Sequence, residues 1–281
     1  MVDAVAEQIP TSLGKKDRPF TYPQNKNHEG VFKKIFNGAR NRFLRKGETP
    51  ETPSQESSHE DYVRWDRTII GQKRVENSRF FDEPDGEAPH GYFKGRPIIG
   101  RDTGINGGVY IGSGKREALV VDDTKYPGLQ MAYDTLLQRF AGGDKNVLQA
   151  AYEVTKKYLP TSEAAVDMVN KKLGIGRNDE KISLDAYFGK GGVCRHQALL
   201  AGYLLEKLVS EGRLKGHVSI DRNTIPGLGG HAFVRFEAGR RKNDVYIVDP
   251  TQNYVGSLAD VPHNAWSYAR KTDPPKTPRY K

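Results

Sequence analysis

The chain has 281 residues, of which 36% are hydrophobic and only one is a cysteine. That supplies apolar material for one large core or two small ones, and it excludes both an internal disulfide framework and a zinc-finger cluster. Lysine and arginine (44) outnumber aspartate and glutamate (35), for a formal charge of +9, but the signs are interspersed and no recognition motif accompanies them, so no nucleic-acid partner is expected.

Residues 1–60 read as a partly disordered N-terminal region, in keeping with a mean hydropathy of −0.71. The opening stretch lacks a secretory apolar segment, and nothing in the chain approaches the ~18 apolar residues of a membrane span. A cytoplasmic protein, or one exported without a classical signal peptide, is expected. Within this region VFKKIFNGARNRFLRK sets Phe32, Ile35, Phe36, Ala39 and Phe43 at helical spacing against Lys33, Lys34, Arg40, Arg42, Arg45 and Lys46. The pattern predicts a basic amphipathic helix over residues 31–46. Gly38 weakens it as a free-standing helix, so docking on its own domain is favoured, and contact with an anionic membrane or a protein partner is the alternative. The stretch GETPETPSQESSHED reads as a linker.

Residues 61–127 are rich in Gly, Pro and Asp and read as an irregular, β-rich extension, in which GGVYIG and EALVVDD form a hairpin. The glycines of GINGGVYIGSGKR miss the spacing of a phosphate loop, since Val109 stands where its first Gly belongs and Arg116 follows Gly114-Lys115. This is a turn, and no nucleotide is expected there.

A core over residues 128–265 begins with three helices. LQMAYDTLLQRFAGG carries Met131, Leu136, Leu137 and Phe140 as its apolar stripe; NVLQAAYEVTKKYLP carries Val147, Ala150, Ala151, Val154 and Tyr158 and stops at Pro160; TSEAAVDMVNKKLG opens with Thr161 or Ser162 as its cap. A fourth helix, CRHQALLAGYLLEKLVSEG, places Cys194 in its first turn, where unpaired N–H groups and the helix dipole favour thiolate over thiol. His196 lies two residues on, about 200° around the helix, and is read as a surface or capping residue that points away from the thiol.

The base is sought instead in HAFVRF and DVYIVD, two strands joined by a polar turn. Pairing centred near Arg240 sets His231 opposite Asp249, within reach of an imidazole–carboxylate hydrogen bond. With HVSIDR these strands make an antiparallel sheet, so the fold class is α+β with helices packed on that sheet. Residues 266–281 read as a basic, proline-rich tail.

The segments GVCRHQALL, GHAFVRF and YIVDPT, in the order Cys…His…Asp, together resemble the transglutaminase-like branch of the papain-type cysteine enzymes. GVCRHQALL is most similar to the peptidase-like domain that precedes the kinase domain of some plant Raf-like kinases. Arylamine N-acetyltransferases and lasso-peptide leader peptidases share parts of the pattern. The resemblance covers about Leu184 to Leu258. It implies a transglutaminase-like core, with Cys194 as nucleophile, His231 as base and Asp249 as the residue that orients it. The implied activity is acyl transfer from an amide through a thioester, as a peptidase, deamidase or transglutaminase, on a protein or peptide substrate and with no metal or organic cofactor. The alternative is a non-catalytic binding module of the same fold. Val193 and Arg195 flank the cysteine where relatives carry other residues, and no upstream Gln is identified for the oxyanion. Gln197, on the same helix face as Cys194, is the candidate donor.

Overall fold

A computed structural model describes residues 66–112, 116–143, 146–175, 180–239, 244–262 and 265–273. The basic helix expected over residues 31–46 and the linker after it lie outside the described residues, as do residues 274–281 of the tail.

The first described element is a helix, α1 (Arg67–Val75), in a stretch read from sequence as irregular. Asp66 caps it by accepting from Thr68 N–H at 2.9 Å. Its buried positions are Thr68, Gly71 and Val75, while Ile69 and Ile70 are exposed. A face made of small and polar residues leaves no apolar period to read.

Strands β1 (Phe81–Asp82) and β2 (Tyr92–Phe93) form a small pair. The expected hairpin is present as β3 (Val109–Ile111) and β4 (Ala118–Val120), antiparallel with Tyr110 opposite Leu119. Strand β5 (Lys181–Ser183) joins β4 in parallel, which is possible because three helices fill the crossover: α2 (Pro127–Ala141), α3 (Val147–Tyr158) and α4 (Glu163–Lys172). Ser162 is the α4 cap, accepting from Ala165 N–H. In α2 the inward stripe is Leu129, Ala132, Tyr133 and Leu136; Met131, assigned to the stripe from sequence, is 60% exposed.

Helix α5 (Cys194–Ser210) is the centre of the molecule, and all its residues from Arg195 to Leu205 are buried. Only a helix covered on every side tolerates such a run. One side meets α2 and α3; another meets the four-stranded antiparallel sheet β6 (His217–Ile225), β7 (Gly229–Glu237), β8 (Val245–Asp249) and β9 (Tyr254–Ser257). At Gly202 a Cβ would stand 2.5 Å from Ile220 Cδ1, so the glycine sets how closely the helix approaches the sheet. Val218, Ile220, Val234, Phe236 and Val248 join α5 in the main core, together with Ile99, Ile105, Tyr110 and Leu119 from the first half of the chain. The extension is thus part of the same core. The fold is mixed α+β.

The opposite face of the sheet has its own cluster, Phe233, Ile247, Tyr254, Val261 and Tyr268. Tyr268 is 2% exposed and belongs to a strap, residues 265–273, that crosses this face. The boundary placed after residue 265 therefore cuts through the fold, because the first residues assigned to the tail are packed. Among the described residues no helix is long and apolar enough to cross a membrane.

Candidate active site

Cys194 is the first residue of α5 and is partly exposed. The N–H groups of Cys194 and Arg195 precede the first bonds of the helix, which run from His196 and Gln197 N–H to Val193 C=O. The sulfur thus sits at the positive end of a 17-residue helix. It also sits at the edge of β7, two residues before the β7–β8 ladder begins at Val234–Val248. There Ala232 N–H and the His231 ring both donate to it.

The strand register differs by two residues from the one expected. Val234 pairs with Val248 and Glu237 with Val245, so the position across from Asp249 is Phe233, not His231. A two-residue slip preserves the face. His231 and Asp249 are diagonal neighbours on one face, and the long imidazole spans the gap: His231 Nε2 lies 2.5 Å from Asp249 Oδ2. With Nε2 committed to the carboxylate, Nδ1 is the nitrogen left for the sulfur.

Asp249 is fully buried and its oxygens are satisfied. Oδ1 accepts from Thr251 N–H and Gln252 N–H, both at 3.1 Å, so Asp249 also opens the turn that follows β8. Oδ2 accepts from Tyr268 O–H at 2.9 Å as well as facing His231. Trp266 packs on the imidazole with ring centroids 4.9 Å apart and donates its N–H to Asn223. Tyr268 and Trp266 were not expected at the site. Their spacing in NAWSYAR, two aromatic residues two apart, is the mark of an extended segment lying on a surface.

The electrostatics follow from these contacts. Burial alone pushes the Cys194 thiol up; the hydrogen bond and charge of His231, the nearby Arg195 and the Ala232 N–H outweigh it and bring the thiol down to about 7. Burial alone pushes the His231 ring down, and the charge and hydrogen bond of Asp249, with the Cys194 contact, raise it to about 10. Between these values the pair is thiolate and imidazolium.

Arg195 is 9% exposed and its Nε donates to Glu117 Oε1 at 2.6 Å; Glu117 is 1% exposed. This buried ion pair holds a positive charge beside the sulfur. His196 is no surface residue: it is fully buried against Tyr187, and its Nδ1 accepts from Val193 N–H at 3.3 Å. Burial and Arg195 hold its ring well below the usual histidine range, so it stays neutral.

Gln197 is not available as the oxyanion donor. Its Nε2 donates to Leu159 C=O at 2.7 Å and to Thr161 Oγ1 at 3.1 Å, which uses both amide protons, while its Oε1 accepts from Thr251 O–H at 2.6 Å. Gln197 instead braces the turn that carries Asp249.

No family model, curated protein or solved structure matches the chain.

Proposed function

We propose that the chain is a cysteine-dependent acyl-transfer enzyme with a transglutaminase-like core, acting on an amide of a protein or peptide as a peptidase, deamidase or transglutaminase. The observation that carries this reading is the continuous Cys194–His231–Asp249 network, with the sulfur at a helix N-terminus. The Cys194 thiolate adds to the amide carbonyl carbon, and the oxyanion develops against the Cys194 N–H. The carbon–nitrogen bond then breaks as His231 passes its Nδ1 proton to the leaving amine, leaving a thioester. Water or a second amine, deprotonated by the now neutral His231, attacks the thioester and releases the thiol. Asp249 holds the ring in orientation and supports its charge throughout.

The test is the rate of iodoacetamide labelling of Cys194 against pH. The expected profile inflects near pH 7, and His231→Ala moves it upward, because the hydrogen bond and charge of the imidazole no longer offset burial. Turnover on a substrate found with amide-mimicking electrophiles is expected to be bell-shaped, rising near pH 7 and falling near pH 10. An inflection at about 8.5 in the wild type would instead support the non-catalytic binding module.

A further inference from the structure

His231 stands directly across the β6–β7 ladder from Asn223. Opposed residues share a face of the sheet, and Asn223 spends both ends of its amide on the strap that crosses this one. Its Oδ1 accepts from Trp266 Nε1 at 2.7 Å, and its Nδ2 donates to Ser267 C=O at 2.7 Å. One buried side chain, 5% exposed, thus fixes both the indole and the backbone of the residue after it. That indole is the one against His231, with ring centroids 4.9 Å apart and planes tilted by 58°. The imidazole has two other holders, Asp249 at Nε2 and Cys194 at Nδ1. The second is temporary. As a thioester the sulfur is neutral and at most a weak acceptor, so His231 then depends on the Asp249 bond, and the χ2 torsion of a histidine is broad. This is the stage at which Nδ1 must take a proton from water. The Trp266 contact does not involve the sulfur and outlasts its change.

We propose that Asn223 is a positioning residue for deacylation: by clamping Trp266 against His231 it keeps Nδ1 in place after the sulfur has become a thioester. The proposal rests on the acyl-transfer reading above. The indole also suits the charge that the ring acquires in this step, because a cation within about 6 Å of an indole centroid is attracted to it. Asn223 itself touches neither the sulfur nor the imidazole nitrogens in this scheme; it acts through Trp266.

An activated ester, p-nitrophenyl acetate, separates the two half-reactions without knowledge of the substrate. The Cys194 thiolate adds to its carbonyl carbon and the carbon–oxygen bond breaks, so nitrophenolate leaves without a proton from His231, and the imidazolium gives its proton to solvent. In deacylation water attacks the acetyl carbon, Nδ1 takes a proton from it, the carbon–sulfur bond breaks, and acetic acid leaves with the thiolate restored. In the full chain the wild type is expected to give a burst of nitrophenolate and then slow turnover. Asn223→Leu is expected to keep the burst rate within about twofold and to slow the steady state about tenfold. Trp266→Leu is expected to do the same, and Asn223→Leu to add nothing once Trp266 is gone. Asn223→Ser, which also loses both bonds but stays polar and small, carries the same expectation where Asn223→Leu does not fold. Equal slowing of both phases would overturn the proposal, since Asn223 would then serve the fold alone; an unchanged steady state, or losses that add in the double variant, would overturn it as well. Failure of the acyl-transfer reading shows separately, as a wild type with no burst and an ordinary iodoacetamide profile.

Discussion

At the scale of single residues, the thiol at position 194 is ordinary until four others act on it, one of them through His231. Asp249 raises the imidazole, the imidazole lowers the thiol, and Ala232 N–H and Arg195 add to that effect. Replacing Asp249 by Asn keeps the shape and the turn oxygen but removes the charge that supports the imidazolium. Cys194 labelling below pH 7 is expected to fall by about tenfold or more, and turnover by orders of magnitude, with the melting curve changed far less. Labelling that matched the wild type would show that Asp249 serves only the turn. The triad was legible because a cysteine at a helix start and a His and an Asp on paired strands are local signals. The register was not, because the turn residues do not state where the ladder begins; the face survived the error only because strand side chains alternate with period two.

Among the elements, α5 and β7 do the positioning, and Gln197 connects them to the rest. It links α5 to Leu159 at the end of α3, to Thr161 before α4, and to Thr251 after β8. Gln197→Met has similar volume but leaves the buried Leu159 carbonyl without its donor and removes the partly buried bonds to Thr161 and Thr251. It is expected to cost about 1–3 kcal/mol of stability in urea melts. A variant with unchanged stability and reduced turnover would return Gln197 to the oxyanion role that its hydrogen bonds rule out. The helices α2 to α5 were legible from apolar spacing and the hairpin β3–β4 from its short extended apolar runs, whereas α1 was not, because Thr68 and Gly71 carry no apolar signal. Strand β5 was equally hidden, since parallel pairing with β4 is a long-range contact that a three-residue segment does not announce.

For the molecule as a whole, the strap ties the halves together through Arg270. Its guanidinium bonds Asp221 on β6 and Asp102 in the loop after β2, and its N–H bonds Asp273, which in turn pairs with Arg235 on β7. Asp221 is 1% exposed. Arg270→Ala leaves that carboxylate buried without its guanidinium, and a loss of about 3–5 kcal/mol is expected, measured by denaturant unfolding. A loss below about 1 kcal/mol would show that the network contributes no more than a solvent-exposed pair.

The position of the strap in the chain has a consequence for how the protein is made. Synthesis runs from the N- to the C-terminal end, so Cys194 leaves the ribosome well ahead of Tyr268, whose hydroxyl completes the shell around Asp249. At about 5–20 residues per second the interval is on the order of ten seconds. During that time the chain carries Cys194 with neither Trp266 over the imidazole nor Tyr268 on the carboxylate. The hydrogen-bond shell of Asp249 is therefore completed only once residues 265–273 have emerged and packed on the sheet, so the last contacts of this cluster to form are those made by the segment synthesised last among them.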